Sequence, residues 1–246
     1  MKPQHYVVSG NRALLRGYFD LVYNPVDDFI SARLATYQRL QRACVTKLEF
    51  FDGDRVLCAG VGTGNEVVQV FGMGKNVSVV GVDYSDSALE KAYRKAIMLG
   101  KRIQVLPMDI QSLKFSTGSF DKVLCLHVMD WVDDDIRATG EIIRVLKDGG
   151  QFVITYPSGR ESMGQGLNVL WDSIRHNGKS KRFGMLYRIF STALMGGIVY
   201  LPLFFRSKRR SYSREELKKV FFKLTDGNFQ IEEYPIYNDF IIYGRK

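Results

Sequence analysis

The stretch Cys58-Ala-Gly-Val-Gly-Thr-Gly-Asn-Glu66 decides the fold of this chain of 246 residues. It includes the end of a short apolar run, residues 55–59, and leads into a stretch with helical spacing of apolar residues, 66–71. Its three glycines stand at alternate positions, where Cβ atoms would obstruct a ligand that approaches the backbone N–H groups of a helix start. The sequence therefore predicts a strand, a glycine loop and a helix that together bind a ligand.

The same alternation of patterns continues along the chain. Short apolar runs rich in β-branched residues predict further strands at 77–82, 103–106, 122–126, 152–155, 229–234 and 239–243. Apolar spacing predicts helices at 87–99, 135–146 and 213–224, the last beginning with the Ser and Glu spacing of a capping box. This order indicates an α/β fold with a doubly wound, Rossmann-like parallel sheet.

Four segments of the chain differ in pattern. From about Asn11 to Phe50, apolar positions recur at helical spacing, interrupted near Asn24-Pro25, and residues 1–50 are therefore predicted to form an N-terminal helical cover. Residues 51–156 form the predicted ligand-binding core. Residues 157–211 break the alternation and predict a helical insertion between the fifth and sixth strands. Residues 212–246 return to the core with its last helix and its closing strands.

The glycine loop by itself has more than one interpretation. Glycine-rich turns between a strand and a helix also occur simply to allow tight packing. A dinucleotide fingerprint would need glycine or alanine at position 65, where this chain has Asn65. Since no YxxxK sequence follows the fourth or fifth strand either, a nicotinamide oxidoreductase is disfavoured.

Acidic residues follow two neighbouring strands of the predicted sheet. Asp83 ends the second strand, 23 residues after Gly60, where a carboxylate can accept both hydroxyls of a ribose. Asp109 follows the third strand, where it can accept the exocyclic amine of an adenine while Ile110 packs on the ring. A tight turn at residues 146–150, Leu-Lys-Asp-Gly-Gly, leads into the fifth strand.

Together and in this order, these features resemble the class I S-adenosylmethionine-dependent methyltransferases, in particular the quinone and small-molecule subgroup. The resemblance covers residues 50–156 and, more loosely, the last two strands. It implies a seven-stranded sheet whose last strand is antiparallel, with S-adenosylmethionine as the cofactor across its C-terminal edge. The cofactor-binding residues that it implies are Ala59, Gly60, Gly62, Gly64, Asp83, Tyr84, Asp109, Ile110, His127 and Tyr23.

Aromatic residues near the N-terminus belong to the same resemblance. Residues 17–23, Gly-Tyr-Phe-Asp-Leu-Val-Tyr, resemble the segment that folds over the cofactor in quinone and small-molecule methyltransferases. Tyr18 and Tyr23 are therefore candidates to close the site against water. The alternative is that both are core aromatics of an amphipathic helix.

One position departs from the family pattern. The family usually has Asp or Glu where this chain has Cys58, and that acid helps to organise the amino-acid end of the cofactor. The replacement implies weaker binding, an altered use of the cofactor, or compensation by another acid such as Glu66. We favour compensation because the ribose and adenine positions are intact.

Methyl transfer from a sulfonium is an in-line displacement, so the protein contributes proximity, orientation and, where needed, a base. His127 is the best-placed base, since an unperturbed imidazole has a pKa of about 6.5, and Tyr156 is a second catalytic candidate. Alternatively, His127 only lines the pocket. The fourth strand ends in Leu126-His-Val-Met-Asp130 and not in Asn/Asp-Pro-Pro-Tyr, which disfavours amino methylation of DNA.

The formal charge of +9 belongs to one segment. Residues 157–219 contain 13 Lys and Arg against 4 Asp and Glu, and the rest of the chain is neutral. The basic residues flank residues 189–205, which are uncharged but interrupted by Gly196-Gly197 and Pro202. This run is shorter than the roughly 20 residues of a membrane span.

Three interpretations of this segment remain. Its apolar residues pack on the sheet while its basic residues are solvated, or they cover a lipophilic acceptor while the basic residues within 182–210 contact an anionic membrane surface. The third is a groove for nucleic acid, which normally interleaves Lys and Arg with stacking groups. It is the least favoured because the charges here flank an apolar run.

Three cysteines without a CxxC pair argue against a metal site and fit a reducing cytoplasm. The N-terminus lacks the apolar core of a secretory signal. The sequence therefore predicts a cytoplasmic or membrane-peripheral enzyme that methylates a small, lipophilic acceptor, such as a quinone-like or polyketide-like ring. The alternatives are an RNA-directed methyltransferase and a non-catalytic protein of the same fold.

Overall fold

A computed structural model describes residues 35–158, 211–236 and 238–246, together with Gly17, Asp20, Leu21 and Asn24. Most of the predicted N-terminal cover and of the predicted insertion lies outside these residues. No helix in the described part of the chain has both the length and the hydropathy that a membrane crossing requires. The elements are, in order, α1 (Ala35–Val45), β1 (Arg55–Ala59), α2 (Asn65–Gly72), β2 (Ser78–Asp83), α3 (Asp86–Met98), β3 (Ile103–Pro107), β4 (Phe120–Cys125), α4 (Asp135–Val145), β5 (Leu146–Pro157), α5 (Arg214–Thr225), β6 (Phe229–Tyr234) and β7 (Asp239–Arg245).

The seven strands form one sheet in the order β3-β2-β1-β4-β5-β7-β6. Strands β1 to β5 pair in parallel with one another, whereas β7 runs antiparallel between β5 and β6. The winding direction changes between β1 and β4, and ligands of such sheets bind beyond the C-terminal ends of the strands at this point. The predicted fold class, with an antiparallel last strand, is confirmed.

Both faces of the sheet are buried, which explains the continuous apolar sequences of its central strands. In β1, Leu57 and Ala59 face one hydrophobic core, and Val56 and Cys58 face the other. Helices α4 and α5 cover the first face, whereas α1, α2 and α3 cover the second. The sheet is therefore the middle layer of three.

Among the strands and helices that lie within residues 51–158 and 211–246, apart from residue 237, only one predicted boundary differs by more than two residues from the structure, and it is the start of β5. Residues 146–150, which the sequence predicted as a turn, belong to this strand, and the register of its pairing with β4 shifts there. Phe120 of β4 pairs with Leu146, and Lys122 pairs with Gln151, so a step of two residues on β4 faces a step of five on β5. The glycines therefore accommodate a bulge in the strand where the sequence predicted a turn before it.

The glycine loop between β1 and α2 is packed closely from two sides. A Cβ atom at Gly60 would lie 2.4 Å from a methyl carbon of Val128, which follows β4. A Cβ atom at Gly64 would lie 2.7 Å from the backbone of Ala92 in α3, whereas one at Gly62 would meet nothing within 4 Å. All three glycines have positive φ angles, so the loop depends on them for its conformation as well as for its packing.

We expect Gly64→Ala to lower the free energy of unfolding by about 3 kcal/mol, because it combines a left-handed alanine with a clash against the backbone of α3. Gly62→Ala is the matched control, since its Cβ enters open space and only the left-handed conformation costs about 1 kcal/mol. Chemical denaturation of the two variants without ligand measures the difference. Equal losses would contradict the close approach of α3 to Gly64.

Candidate active site

The glycine loop is attached to the end of β2 by three backbone donors. The N–H groups of Gly60 and Val61 donate to the carbonyl oxygen of Val82, at 2.8 and 2.9 Å. The N–H of Gly62 donates to Oδ2 of Asp83 at 2.9 Å. The C-terminal ends of β1 and β2 therefore form one rigid edge, and the Asp83 carboxylate is part of it.

Asp83 is half-buried and accepts a second backbone hydrogen bond, from the N–H of Ser85 to Oδ1 at 3.0 Å. Burial raises the pKa of Asp83, and the backbone N–H groups of Ser85 and Gly62 oppose that rise. A carboxylate has about four acceptor positions, so both oxygens can still accept a hydroxyl of a ligand. The arrangement suits a ligand with two neighbouring hydroxyls.

Asp109 follows β3 at the same edge of the sheet. Its Oδ1 accepts the backbone N–H of Gln111 at 2.9 Å and the side-chain amide of Gln111 at 3.0 Å. The side-chain carbonyl of Gln111 in turn accepts the N–H of Asp134, the N-cap of α4, at 2.8 Å. Ile110 is buried in the core. The carboxylate of Asp109 is therefore oriented by Gln111, a residue that no sequence motif marks.

Cys58 and Glu66 lie under the glycine loop. Cys58 is fully buried, and burial raises its pKa well above the usual range, so the thiol is uncharged at neutral pH. Glu66, in the first turn of α2, is 8% exposed. After burial, the charge of Glu66 is the next cause of the raised pKa of both Cys58 and Cys125. Glu66 is thus an acidic residue at the start of α2, close in sequence to Cys58.

His127 follows β4 and has a left-handed backbone, with a φ angle of +57°. This conformation costs roughly 1–2 kcal/mol for a residue other than glycine, and such strain is concentrated at functional sites. Its N–H donates to Oγ1 of Thr155 at 2.7 Å, and its Nδ1 lies 3.3 Å from Oδ2 of Asp239. Its ring centroid lies 5.4 Å from that of Tyr37 in α1. Three elements, β5, β7 and α1, therefore position the imidazole.

The structure corrects the prediction that Tyr156 is a catalytic residue. Its side chain is fully buried under α4 and α5, and its ring packs edge-on against Phe221. Its hydroxyl forms hydrogen bonds with Oγ1 of Thr139 and with the carbonyl oxygen of Asp135, and burial raises its pKa. A phenol that is sealed in the core and difficult to ionise does not reach a substrate. Tyr156 therefore belongs to the packing of the sheet.

The remaining predicted residues fall into two groups. Ala59 is buried at the end of β1, and Tyr84 is half-buried directly after Asp83, so both lie at the edge where they were expected. Tyr18 and Tyr23 lie outside the described residues, as does most of the predicted insertion. Lys95 of α3, which no motif marks, donates to side-chain oxygens of the glycine loop.

Residues 57–154 match a family model described as a methyltransferase domain. The matched range extends from β1 into β5. It therefore contains the glycine loop, Asp83, Asp109 and His127, which are the residues that the structure brings to the C-terminal edge of the sheet.

Curated methyltransferases match part of the chain. The demethylmenaquinone methyltransferase of Thermus thermophilus is 33% identical over 100 residues, which are 41% of this chain and 46% of that protein. The phosphatidylethanolamine N-methyltransferase of Cereibacter sphaeroides is 33% identical over 104 residues, 42% of this chain and 50% of that protein. The chain thus spans about half the length of these relatives.

A solved structure agrees over a longer range. The magnesium protoporphyrin IX methyltransferase from Synechocystis PCC 6803, with bound S-adenosylhomocysteine, has a TM-score of 0.64 and 15% identity. The match covers 96% of this chain and 99% of that one, which establishes a common fold. The family match and the fold agree: residues 57–154 match a methyltransferase domain, and the chain shares its fold with a methyltransferase whose structure contains S-adenosylhomocysteine.

Proposed function

We propose that this protein, whose core is a class I methyltransferase domain, transfers a methyl group from S-adenosylmethionine to a small, lipophilic acceptor. The arrangement of Gly62 and Asp83 carries the proposal. The N–H of Gly62 donates a hydrogen bond to Asp83, and the space next to Cα of Gly62, where a Cβ atom would lie, is open. A ligand can therefore approach the backbone of Gly62 and the carboxylate of Asp83 together. The cofactor supplies an activated methyl group, and the protein supplies proximity and orientation.

In this proposal, each residue at the C-terminal edge of the sheet contacts a different part of the cofactor. Asp83 accepts hydrogen bonds from the two ribose hydroxyls, in addition to those from the two backbone N–H groups that orient it. Asp109, which is oriented by its hydrogen bonds with Gln111, accepts a hydrogen bond from the exocyclic amine of the adenine. The other residues proposed to contact the cofactor are Ala59, Gly60, Gly62, Gly64, Tyr84, Ile110, His127 and Tyr23.

Glu66 binds the amino-acid end of the cofactor in place of the missing acid at position 58. An ammonium group near Glu66 would offset the cost of burying this carboxylate, because an opposite charge stabilises a desolvated ion. Cys58 does not compete for this role, since its buried thiol is neutral. The negative charge that the family has on β1 has therefore moved to the first turn of α2.

His127 acts as the base when the acceptor must lose a proton. Because Nδ1 faces the carboxylate of Asp239, the tautomer with a proton on Nδ1 is favoured, and Nε2 becomes the proton acceptor. Thr155 holds the backbone of His127 and thereby fixes the direction of the ring. Asp239 is thus a positioning residue for the imidazole.

Two observations support a lipophilic acceptor. Relatives of this chain are named for demethylmenaquinone and for phosphatidylethanolamine, and both molecules are lipophilic. The uncharged run at residues 189–205, with basic residues on both sides, is the segment that we expect to contact such an acceptor and an anionic membrane surface. A quinone-like or polyketide-like ring is the acceptor class that we propose.

Asp83→Ala should weaken the binding of S-adenosylhomocysteine at least tenfold, because it removes a charge-assisted hydrogen bond of roughly 1.5–3 kcal/mol. Isothermal titration calorimetry of the full chain measures the affinity. Asp121→Ala is the control, since this carboxylate lies at the opposite end of the sheet, next to Arg55 and Lys147. Absence of binding by the unaltered protein would refute the cofactor, and an unchanged affinity of Asp83→Ala would refute the ribose contact.

Glu66→Gln should weaken the binding of S-adenosylhomocysteine about tenfold and leave that of 5′-methylthioadenosine unchanged, because the second ligand lacks the amino-acid end. Calorimetry with both ligands separates a local contact from a general loss of structure. Cys58→Asp in the Glu66→Gln background should recover part of the affinity, since it returns a carboxylate to β1. An equal loss for both ligands would count against the assignment of Glu66.

His127→Ala should lower kcat by about 100-fold or more, the usual contribution of a general base. Asp239→Asn should lower kcat by less and leave the affinity for S-adenosylhomocysteine unchanged, because Asp239 acts through the imidazole. The rate is measured with S-adenosylmethionine that carries a tritiated methyl group and a lipid extract that contains quinones. The tritium that an organic solvent extracts reports the methylated product. A label found in RNA would favour an RNA-directed enzyme, and the absence of any labelled product would favour a non-catalytic protein.

A further inference from the structure

Two polar residues of the N-terminal segment, Asp20 and Asn24, contact the loop after β2. Nδ2 of Asn24 donates to Oγ of Ser85 and to Oγ of Ser87, both at 2.9 Å. Oδ1 of Asp20 accepts from the same two hydroxyls, at 2.5 and 2.6 Å. Asn24 is only 3% exposed, so these bonds replace its contacts with water. We call these four residues the N-terminal clasp.

The hydroxyl of Ser85 is the centre of the clasp. It donates its hydrogen to Asp20, and it accepts one hydrogen bond from Asn24 and another from the backbone N–H of Ala88. A serine hydroxyl has one donor and two acceptor positions, so all three are used. Ser85 is also the N-cap of α3, which fixes its backbone. The side chain and the backbone of Ser85 are therefore held in one orientation.

Ser85 transmits this constraint to Asp83. The N–H of Ser85 donates to Oδ1 of Asp83 at 3.0 Å, on the side of the carboxylate opposite to the bond from Gly62. We propose that Asp20 and Asn24 are positioning residues for the cofactor, which hold Asp83 in its ribose-binding orientation through Ser85. This inference rests on the proposed function, because it assigns the task of binding a ribose to Asp83.

The carboxylate of Asp20 also lies close enough to Asp83 to act on its pKa. Burial is the main cause of the raised pKa of Asp83, and the carboxylate of Asp20 adds to it. A second acid at this place therefore costs free energy in the protein without ligand, because like charges repel. Hydroxyl donors of a ligand offset this cost at Asp83.

Linkage then gives a reciprocal effect. If the hydrogen bonds of the clasp raise the affinity for the cofactor by some factor, the bound cofactor stabilises these hydrogen bonds by the same factor. Leu21, between Asp20 and Asn24 in sequence, is 81% exposed and therefore accessible to a protease. Binding of S-adenosylhomocysteine should protect this segment from cleavage.

The decisive experiment compares S-adenosylhomocysteine with its 2′-deoxyribose analogue by calorimetry on the full chain. Asn24→Ala should weaken the binding of S-adenosylhomocysteine about tenfold and that of the analogue less, because one of the hydroxyls that Asp83 binds is absent from the analogue. An anchor without influence on Asp83 would reduce both affinities equally. Equal losses for the two ligands, or no loss for either, would overturn the proposal.

Two further variants keep the test independent of folding. Ser87→Ala removes the hydrogen bonds of Ser87 with Asp20 and Asn24, and its 3.3 Å contact with Oγ of Ser85, but leaves the bonds of Ser85 with Asp20, Asn24 and Asp83 in place. We expect a loss of about threefold in affinity for S-adenosylhomocysteine. Ser213→Ala removes the capping box of α5, far from the loop, and should lower stability without changing the affinity. Protection of the segment around Leu21 by S-adenosylhomocysteine should be present in Ser213→Ala and reduced in Ser87→Ala, and equal protection in both would count against the clasp.

The outcome also separates this inference from the proposed function. If the unaltered protein does not bind S-adenosylhomocysteine, both fail. If it binds the ligand and Asp83→Ala weakens the binding while Asn24→Ala does not, the proposed function stands and the positioning role of the clasp is refuted.

Discussion

The hydrogen bond from the N–H of Gly62 to the carboxylate of Asp83 joins the two loops that form the site. Gly60 and Gly64 allow the first loop to pack against the segment after β4 and against α3, so this loop has little room to shift. The second loop is held by Ser85, which binds the other oxygen of Asp83. The carboxylate is therefore oriented before any ligand arrives, and preorganisation of this kind reduces the cost of binding.

The parts of the fold that the sequence predicts are those that follow from burial and topology. The strand β1 is recognisable because Val56 to Ala59 are all apolar, and the structure explains this by burying both faces of the sheet. The positions of Asp83 and Asp109 follow because parallel strands end at a common edge. The glycine loop is marked by its own residue types, since Gly60 and Gly64 combine positive φ angles with packing that leaves no room for a Cβ atom.

The parts that escape prediction depend on direction or on distant partners. Tyr156 lies at the expected end of β5, but a strand alternates between two faces, and the sequence does not tell which face holds the site. Asn24 meets Ser85 across 61 residues of chain, and the Asp239 carboxylate lies beside His127 across an even longer separation. Small polar side chains leave no periodic pattern, so contacts of this kind become visible only when the fold brings them together.

The sign of the charge at the site is opposite to that of the whole chain. Carboxylates from four segments, those of Asp20, Glu66, Asp83 and Asp109, lie at or beside the C-terminal edge of the sheet. Binding of a phosphate backbone requires Lys and Arg, whereas acids and backbone donors suit a ligand that combines positive groups with hydroxyls. S-adenosylmethionine has a sulfonium, an ammonium and a ribose. The net charge of +9 originates in residues 157–219 and therefore does not describe the chemistry at Asp83.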